Sequence, residues 1–403
     1  YHLLKVKDEK EHQEEQGLET GFIYKWYKKI EQPFLDSSKK RWVMLGITGV
    51  LLVISMLAFF TKWVAVKMLP FDNKNEVQVV IDMPEGTTLE KTSVVAKEVS
   101  QYLRTVPEVV NYQNYVGSSS PITFNGLVRH YDMRGASNTA DIQVNLLNKS
   151  ERSKQSHDVA KTIRPEIQKI AKKFGANIKI VEVPPGPPVL STIVAEVYGP
   201  DYDEQIRIAD EVQKILINTE DVVDVDWMVE APQGEFKIIP DKEKSMLNGI
   251  APQQLVGNLN YLLGEYPVST LYDEKSSQPV NMVMKLDNSE KSTIQDITAL
   301  KVKGAAGNMM PVSDVVKIER DTLEKSIYRK DQKRVVYVLA DMAGELESPA
   351  YAILGMEEKL NKIKLPAGYK INELYMAQPK DESDYTVKWD GEWQITLEVF
   401  RDL

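Results

Sequence analysis

The chain contains no cysteine, which removes disulfide staples, thiolate metal sites and cysteine nucleophiles together. It has four histidines, His2, His12, His130 and His157, too scattered for zinc-ligand spacing. Neither a Gly-x-Gly-x-x-Gly nor a P-loop pattern occurs, and no cofactor or resident metal is expected. Excess charge is small as well. A net charge of −9 over 403 residues, spread along the chain, leaves no basic footprint for nucleic acid. Candidate catalytic groups are equally thin. Ser118-Ser119-Ser120 has no base nearby in sequence and reads as a turn. Asp381-Glu382-Ser383-Asp384 lacks calcium-loop spacing and reads as a solvated loop. An enzyme is not expected.

Long apolar runs are scarce too, with one exception. Trp42 to Thr61 is a stretch of 20 uncharged residues, interrupted at Lys62 and continued by Trp63 to Val66. At ~1.5 Å per residue, about 20 residues cover a hydrocarbon core of about 30 Å. Trp42 and Trp63 sit where interfacial tryptophans belong, and Lys62 is close enough to the end to snorkel. The run begins too far into the chain, and is too long, for a signal peptide. It is apolar on every face, unlike a soluble core helix. Residues 42–66 therefore read as a transmembrane helix. Lys25, Lys28, Lys29, Lys39, Lys40 and Arg41 crowd its N-terminal flank, against Lys62, Lys67 and Lys74 beyond it, which places the N-terminus in the cytoplasm. Between Phe22 and Leu35, apolar Phe22, Ile23, Trp26, Tyr27, Ile30 and Phe34 alternate with lysines. This predicts a basic amphipathic helix against membrane lipid, or, more simply, a juxtamembrane linker.

Beyond the span the chain repeats itself. Shifted by 113 residues without gaps, Gly86 meets Gly199, Ala96 meets Ala209, Glu98-Val99 meet Glu211-Val212, Leu103 meets Leu216 and Val109-Val110 meet Val222-Val223. One structural unit used twice is the reading. Each copy runs strand, helix, strand: Val77–Met83, Leu89–Leu103 and Val109–Val116, then Thr192–Tyr198, Tyr202–Leu216 and Val222–Val229. Half-units at Thr139–Leu147, Ser156–Phe174 and Ile178–Val183 complete the first copy. Arg334–Met342, Ser348–Leu365 and Tyr369–Tyr375 complete the second. The fold class expected is α+β: one transmembrane helix, then two ferredoxin-like split βαβ units, the second carrying an inserted α+β subdomain. The insert has strands near Phe236–Ile239, Val280–Leu286, Leu300–Val302 and Val315–Glu319. The run Pro184-Pro185-Gly186-Pro187-Pro188 is a stiff hinge between the units. Met282 and Met284 alternate on one strand face and are expected to pack in a core, as the commoner alternative to thioether metal binding.

Local motifs give this organisation a family. Leu69-Pro70, Val79-Val80 and Pro84-Glu85-Gly86-Thr87-Thr88-Leu89 follow the span. Further on stand Gly307-Asn308-Met309-Met310-Pro311-Val312-Ser313-Asp314-Val315 and Ile327-Tyr328-Arg329-Lys330-Asp331 running to Arg334. As a set they resemble the second half of a resistance–nodulation–division (RND) permease, with Gln332 in place of a usual glycine and Met310 and Val312 in place of valine and leucine. The resemblance implies a division of the chain. Residues 1–41 are a cytoplasmic linker, 67–190 the first porter subdomain and 191–230 with 325–376 the second. Residues 231–324 are a docking subdomain, and 377–403 lead to a following transmembrane helix. It further implies a proton-driven efflux permease of a Gram-negative inner membrane, with its main domains in the periplasm. Such a permease is a homotrimer working with a periplasmic adaptor and an outer-membrane channel. The motifs lean to the branch that exports amphiphilic small molecules rather than heavy metals. The span carries no acid or histidine, so the proton relay is expected elsewhere. A single-span periplasmic scaffold that reuses the sandwiches is the alternative from another class.

Two surfaces are candidate sites. Ser118 to Asn138 is long for a loop in a compact domain and mixes Phe124, Leu127, Val128 and Tyr131 with Asn125, Arg129 and Arg134. The resemblance makes it a mobile substrate-path loop, contacting cargo through Phe124, Asn125, Leu127, Val128, Arg129 and Tyr131; the alternative is a packing loop between subunits. In the insert, Tyr261, Tyr266, Leu271 and Tyr272 are the expected docking surface for partner proteins, or else part of that subdomain's own core.

Overall fold

The computed structural model describes residues 22–61, 63, 71–121, 124–183, 188–345, 347–366 and 368–402. The polar stretch Lys5–Glu19, Lys62, the span's continuation from Val64, Leu69-Pro70 and hinge residues 184–187 lie outside the described residues. Helix α1 (Phe22–Asp36) leads into α2 (Ser38–Phe60). Residues Ser38–Ala58 of α2 have a mean hydropathy of 1.9, and none of that stretch is buried by the rest of the chain. A helix this long, apolar on all sides and unpacked, suits a lipid core.

The first unit consists of β1 (Glu76–Asp82), α3 (Leu89–Leu103), β2 (Val109–Val116), the short helix α4 (Phe124–Arg129), β3 (Thr139–Leu146), α5 (Ser156–Phe174) and β4 (Asn177–Val181). Its sheet is antiparallel in the order β2-β3-β1-β4. Alternation decides the faces. Val77, Val79 and Ile81 of β1 and Ile142 and Val144 of β3 meet Val95, Val99, Leu103, Ile163 and Ile167 of the two helices in one core. The Thr88 side chain accepts from the Lys91 amide at the start of α3, and Gly175, at φ 66°, closes α5 in the left-handed region that favours glycine.

The second unit opens with β5 (Ile193–Tyr198), α6 (Tyr202–Ile217) and β6 (Val222–Trp227). The 113-residue repeat holds at the level of single side chains. Asp201 caps α6 as Thr88 caps α3, and Ile208, Ala209, Val212 and Leu216 are buried where Val95, Ala96, Val99 and Leu103 are.

Between the halves of this unit lies the insert. It contains β7 (Gly234–Pro240), α7 (Lys242–Leu247), α8 (Pro252–Leu263), β8 (Tyr266–Leu271), β9 (Val280–Met284), α9 (Ile294–Ala299), β10 (Lys301–Lys303), β11 (Met309–Pro311) and β12 (Val316–Thr322). β7 pairs with β12, β8 with β9 and β10 with β11, around a small core of Ile250, Leu255, Leu259, Val302, Val312 and Val315. Met282 and Met284 are not core residues, being 51% and 55% exposed on the β8–β9 hairpin. The ribbon has two strands among the described residues, and its side chains are largely exposed on both faces, so it has no buried face to offer them.

The second unit resumes with β13 (Tyr328–Lys330), β14 (Lys333–Met342), α10 (Pro349–Leu360), β15 (Asn372–Leu374), β16 (Thr386–Gly391) and α11 (Glu392–Asp402). The strand beside β5 is not the expected Tyr369–Tyr375 segment. β16 pairs antiparallel with β5, and β15 pairs in parallel with the outer side of β16. Part of the tail expected to lead away from the sandwich is thus a strand of its sheet, with Trp389 fully buried among Val197, Val338 and Met356. The chain then leaves through Gly391 at φ 80°, where a Cβ would stand 2.6 Å from the Ser191 carbonyl oxygen.

Candidate functional site

Within the segment from Ser118 to Asn138, Ser120 and Arg134 lie against the sheet face away from α3 and α5, tied down by charged side chains, while the Ser137 carbonyl oxygen accepts from Thr92 of α3 at 2.7 Å. Asp141, pointing away from the core, accepts from the Ser120 amide at 2.9 Å and from Arg134 Nη1 at 2.5 Å. Arg134 also pairs with Asp82 and donates to the Ile81 carbonyl oxygen at 2.9 Å. The Tyr131 ring lies 5.6 Å from the Arg134 guanidinium. Residues 124–129 form one and a half turns of helix, and its last side chain leaves the unit altogether: Arg129 Nη1 donates to Asp341 Oδ2 of β14 at 2.7 Å.

That pair is one of several crossings between the units. Asp341 also accepts from the Ser191 hydroxyl at 2.8 Å and the Thr192 amide at 3.0 Å. Burial pushes its carboxyl up, but Arg129 and these donors outweigh burial and hold it well below the usual carboxylate range. Burial likewise opposes the Arg129 charge, and Asp341 more than restores it. Lys179 of β4 pairs with Asp82 at 2.7 Å and with Asp226 of β6; burial opposes its charge, and Asp226 and Asp82 raise its pKa on balance. Arg164 of α5 pairs with Asp224, whose Oδ2 also accepts from the Ile180 amide at 3.0 Å. His157 of α5 reaches Glu347 at 2.8 Å. The junction is built from ion pairs between residues distant in sequence, contributed from the first unit by α4, α5 and β4.

The expected substrate-path residues therefore divide. Asn125 and Arg129 are turned inward, Val128 and Tyr131 are half-buried, and Phe124 and Leu127 are 47% and 57% exposed. Arg129 packs between two units of one chain. Asp341, Lys179 and Asp226 were not singled out from sequence, since charges in strands read as solvent-facing. Among the described residues no three or more His, Asp or Glu side chains are placed to hold a metal ion.

Comparison with known proteins decides the family. A profile of the AcrB/AcrD/AcrF family matches residues 2–389. The chain belongs to that family, the RND permeases. The swarming motility protein SwrC of Bacillus subtilis (strain 168) is 20% identical over 360 residues, which is 87% of this chain and 31% of SwrC. Two crystal forms of a heavy metal efflux pump each superpose with a TM-score of 0.68 at 16% identity, covering 94% of this chain and 37% of the pump. The chain thus spans about a third of the length of these relatives, and the likeness to the pump is one of fold.

Within this RND-family chain the four expected docking residues share one region and face outward. Tyr261 at the end of α8 packs edge-on against Tyr266 at the start of β8, with ring centroids 4.6 Å apart. Leu271 and Tyr272 stand at the far end of the same strand, both exposed. They are not members of the insert's core.

Proposed function

We propose that this chain is part of a proton-driven efflux permease of a bacterial inner membrane, a transporter and not an enzyme. In this reading α2 is one helix of a larger bundle with its N-terminus in the cytoplasm, and α1 lies on the inner leaflet. The two repeated units are ferredoxin-like porter subdomains in the periplasm, and the insert docks a periplasmic adaptor and an outer-membrane channel in a trimeric assembly. The observation that carries the reading is the family match over nearly the whole chain, joined to one apolar span ahead of a twice-used unit. The cargo proposed is an amphiphilic small molecule, met by Phe124 and Leu127 on the exposed side of α4. Adaptable apolar side chains beside fixed charges suit varied amphiphiles. A heavy-metal exporter is the second reading, favoured by what the structural relative carries. At 16% identity that likeness supports the fold and leaves the cargo to experiment. The test is accumulation of dyes, detergents and metal ions in cells with and without the intact gene. Retention of dyes by the wild type to the same level as the deletion, with a metal-only phenotype, sinks the amphiphile reading.

A further inference from the structure

His157, in the first turn of α5, has a carboxylate on each ring nitrogen. Nδ1 stands 2.6 Å from Glu182 of its own unit, and Nε2 stands 2.8 Å from Glu347 of the other. A neutral imidazole has one donor and one acceptor, so it satisfies one carboxylate and turns a lone pair on the second. Only the imidazolium serves both. The ring is further fixed by Phe71, stacked at 3.9 Å. Glu347 is also held by Lys161 Nζ at 2.6 Å, whereas Glu182 Oε1 is buried with no hydrogen-bond partner among the described residues, so that this carboxylate is held through His157.

We propose that this contact is a pH-operated latch between the two units, closed while His157 is protonated and released when it loses its proton.

The surroundings act in the same direction. Phe71 and Glu182 line a small cavity together with Arg129, Arg164, Asp341 and Glu392, the first residue of α11. Its volume of about 10 Å³ is near that of one water, so it is not a cargo pocket. Burial lowers the His157 pKa, and the hydrogen bonds and charges of Glu182 and Glu347 outweigh it, leaving the pKa raised. The latch is therefore fully formed below the ordinary histidine range and lost as pH rises through the raised value. Burial, with Asp341 adding and Arg129 opposing, pushes Glu392 up to about 7. Loss of the His157 proton thus removes a positive charge beside the cleft in which ionisation of Glu392 adds a negative one. The other cations there are engaged: Arg129 with Asp341, Arg164 with Asp224 and Lys161 with Glu347. Lys179, paired with Asp82 and Asp226, and Arg129 hold the units together at the other crossings, so release is a local opening and not a separation.

The absence of cysteine makes the test direct. Spin labels at T162C on α5 and L354C on α10, both exposed and near the His157–Glu347 contact, report the local spacing of the units in the full chain in detergent micelles. The expected wild-type result is a short, narrow distance distribution at about pH 5.5 that steps to a longer, broader one by about pH 9. H157Q loses the step and keeps the open distribution throughout. E347Q, which leaves the ring intact, also loses it and serves if H157Q does not fold. A wild-type distance that is constant across this range, or a step retained in either variant, overturns the latch.

Discussion

Arg129 and Asp341 lie 212 residues apart in sequence and 2.7 Å apart in space, both nearly excluded from solvent. The first belongs to a segment that the family resemblance makes a mobile loop, the second to a central strand of the other unit. Their contact makes the two repeats one mechanical object. Removing one partner of a buried pair strands the other charge, at a cost of about 3–5 kcal/mol. Asp341→Ala is therefore expected to lower stability by that order in chemical denaturation. The double variant Arg129→Ala/Asp341→Ala is expected to lose clearly less than the two single losses added. Additive losses would mean that the pair is not coupled.

The fourth strand of the second unit gives a contrast in one measurement. Trp389 is fully buried, and Trp389→Ala should cost about 3–5 kcal/mol. Met282→Ala, on the exposed hairpin, should stay within about 0.5 kcal/mol. Thermal melts of the two variants beside the wild type decide it, and equal losses would contradict the placement of both residues.

A pH dependence follows from the open face of the same sheet. Glu196, Asp390, Lys330 and Lys388 meet there, with Lys330 Nζ 2.5 Å from each carboxylate. Burial and then the neighbouring Asp390 push Glu196 up to about 7. A carboxyl raised in the folded state favours folding below its unfolded pKa and loses that contribution as pH rises to the folded value. Stability of the wild type should fall between about pH 4.5 and about pH 7 by this term. Glu196→Gln should flatten that part of the profile, and a variant profile parallel to the wild type would refute the assignment.

How much of this was legible in sequence differs from element to element. The helices Leu89–Leu103 and Tyr202–Ile217 were, because their buried positions recur at helical spacing and again at the repeat offset. β16 was not. Its inner face carries Val387 and Trp389, but the alternate face carries Lys388, which is buried, and Asp390, which is half-buried, as ion partners that read as solvent-exposed. α4 is six residues long, too short for periodicity to register, and Arg129 and Arg134 read as part of a candidate substrate loop until the structure supplies their partners. The exposure of Met282 and Met284 was hidden for the opposite reason: alternation in a strand names a face but not what covers it.

On the proposed docking surface, Leu271→Glu and Tyr272→Glu place charge on an exposed apolar end without touching the core. They are expected to leave the melting temperature unchanged and to reduce site-specific cross-linking to a co-expressed periplasmic adaptor at least several-fold. Undiminished cross-linking would move the docking surface elsewhere.

The central claim is that the exposed side of α4 meets an amphiphilic cargo. Its most direct test is dye accumulation in cells expressing the intact gene, comparing wild type, deletion and Phe124→Ser/Leu127→Ser at matched protein levels. The account predicts that the double variant retains dye as the deletion does while its thermal stability stays at the wild-type value. Wild-type export by the double variant would contradict it.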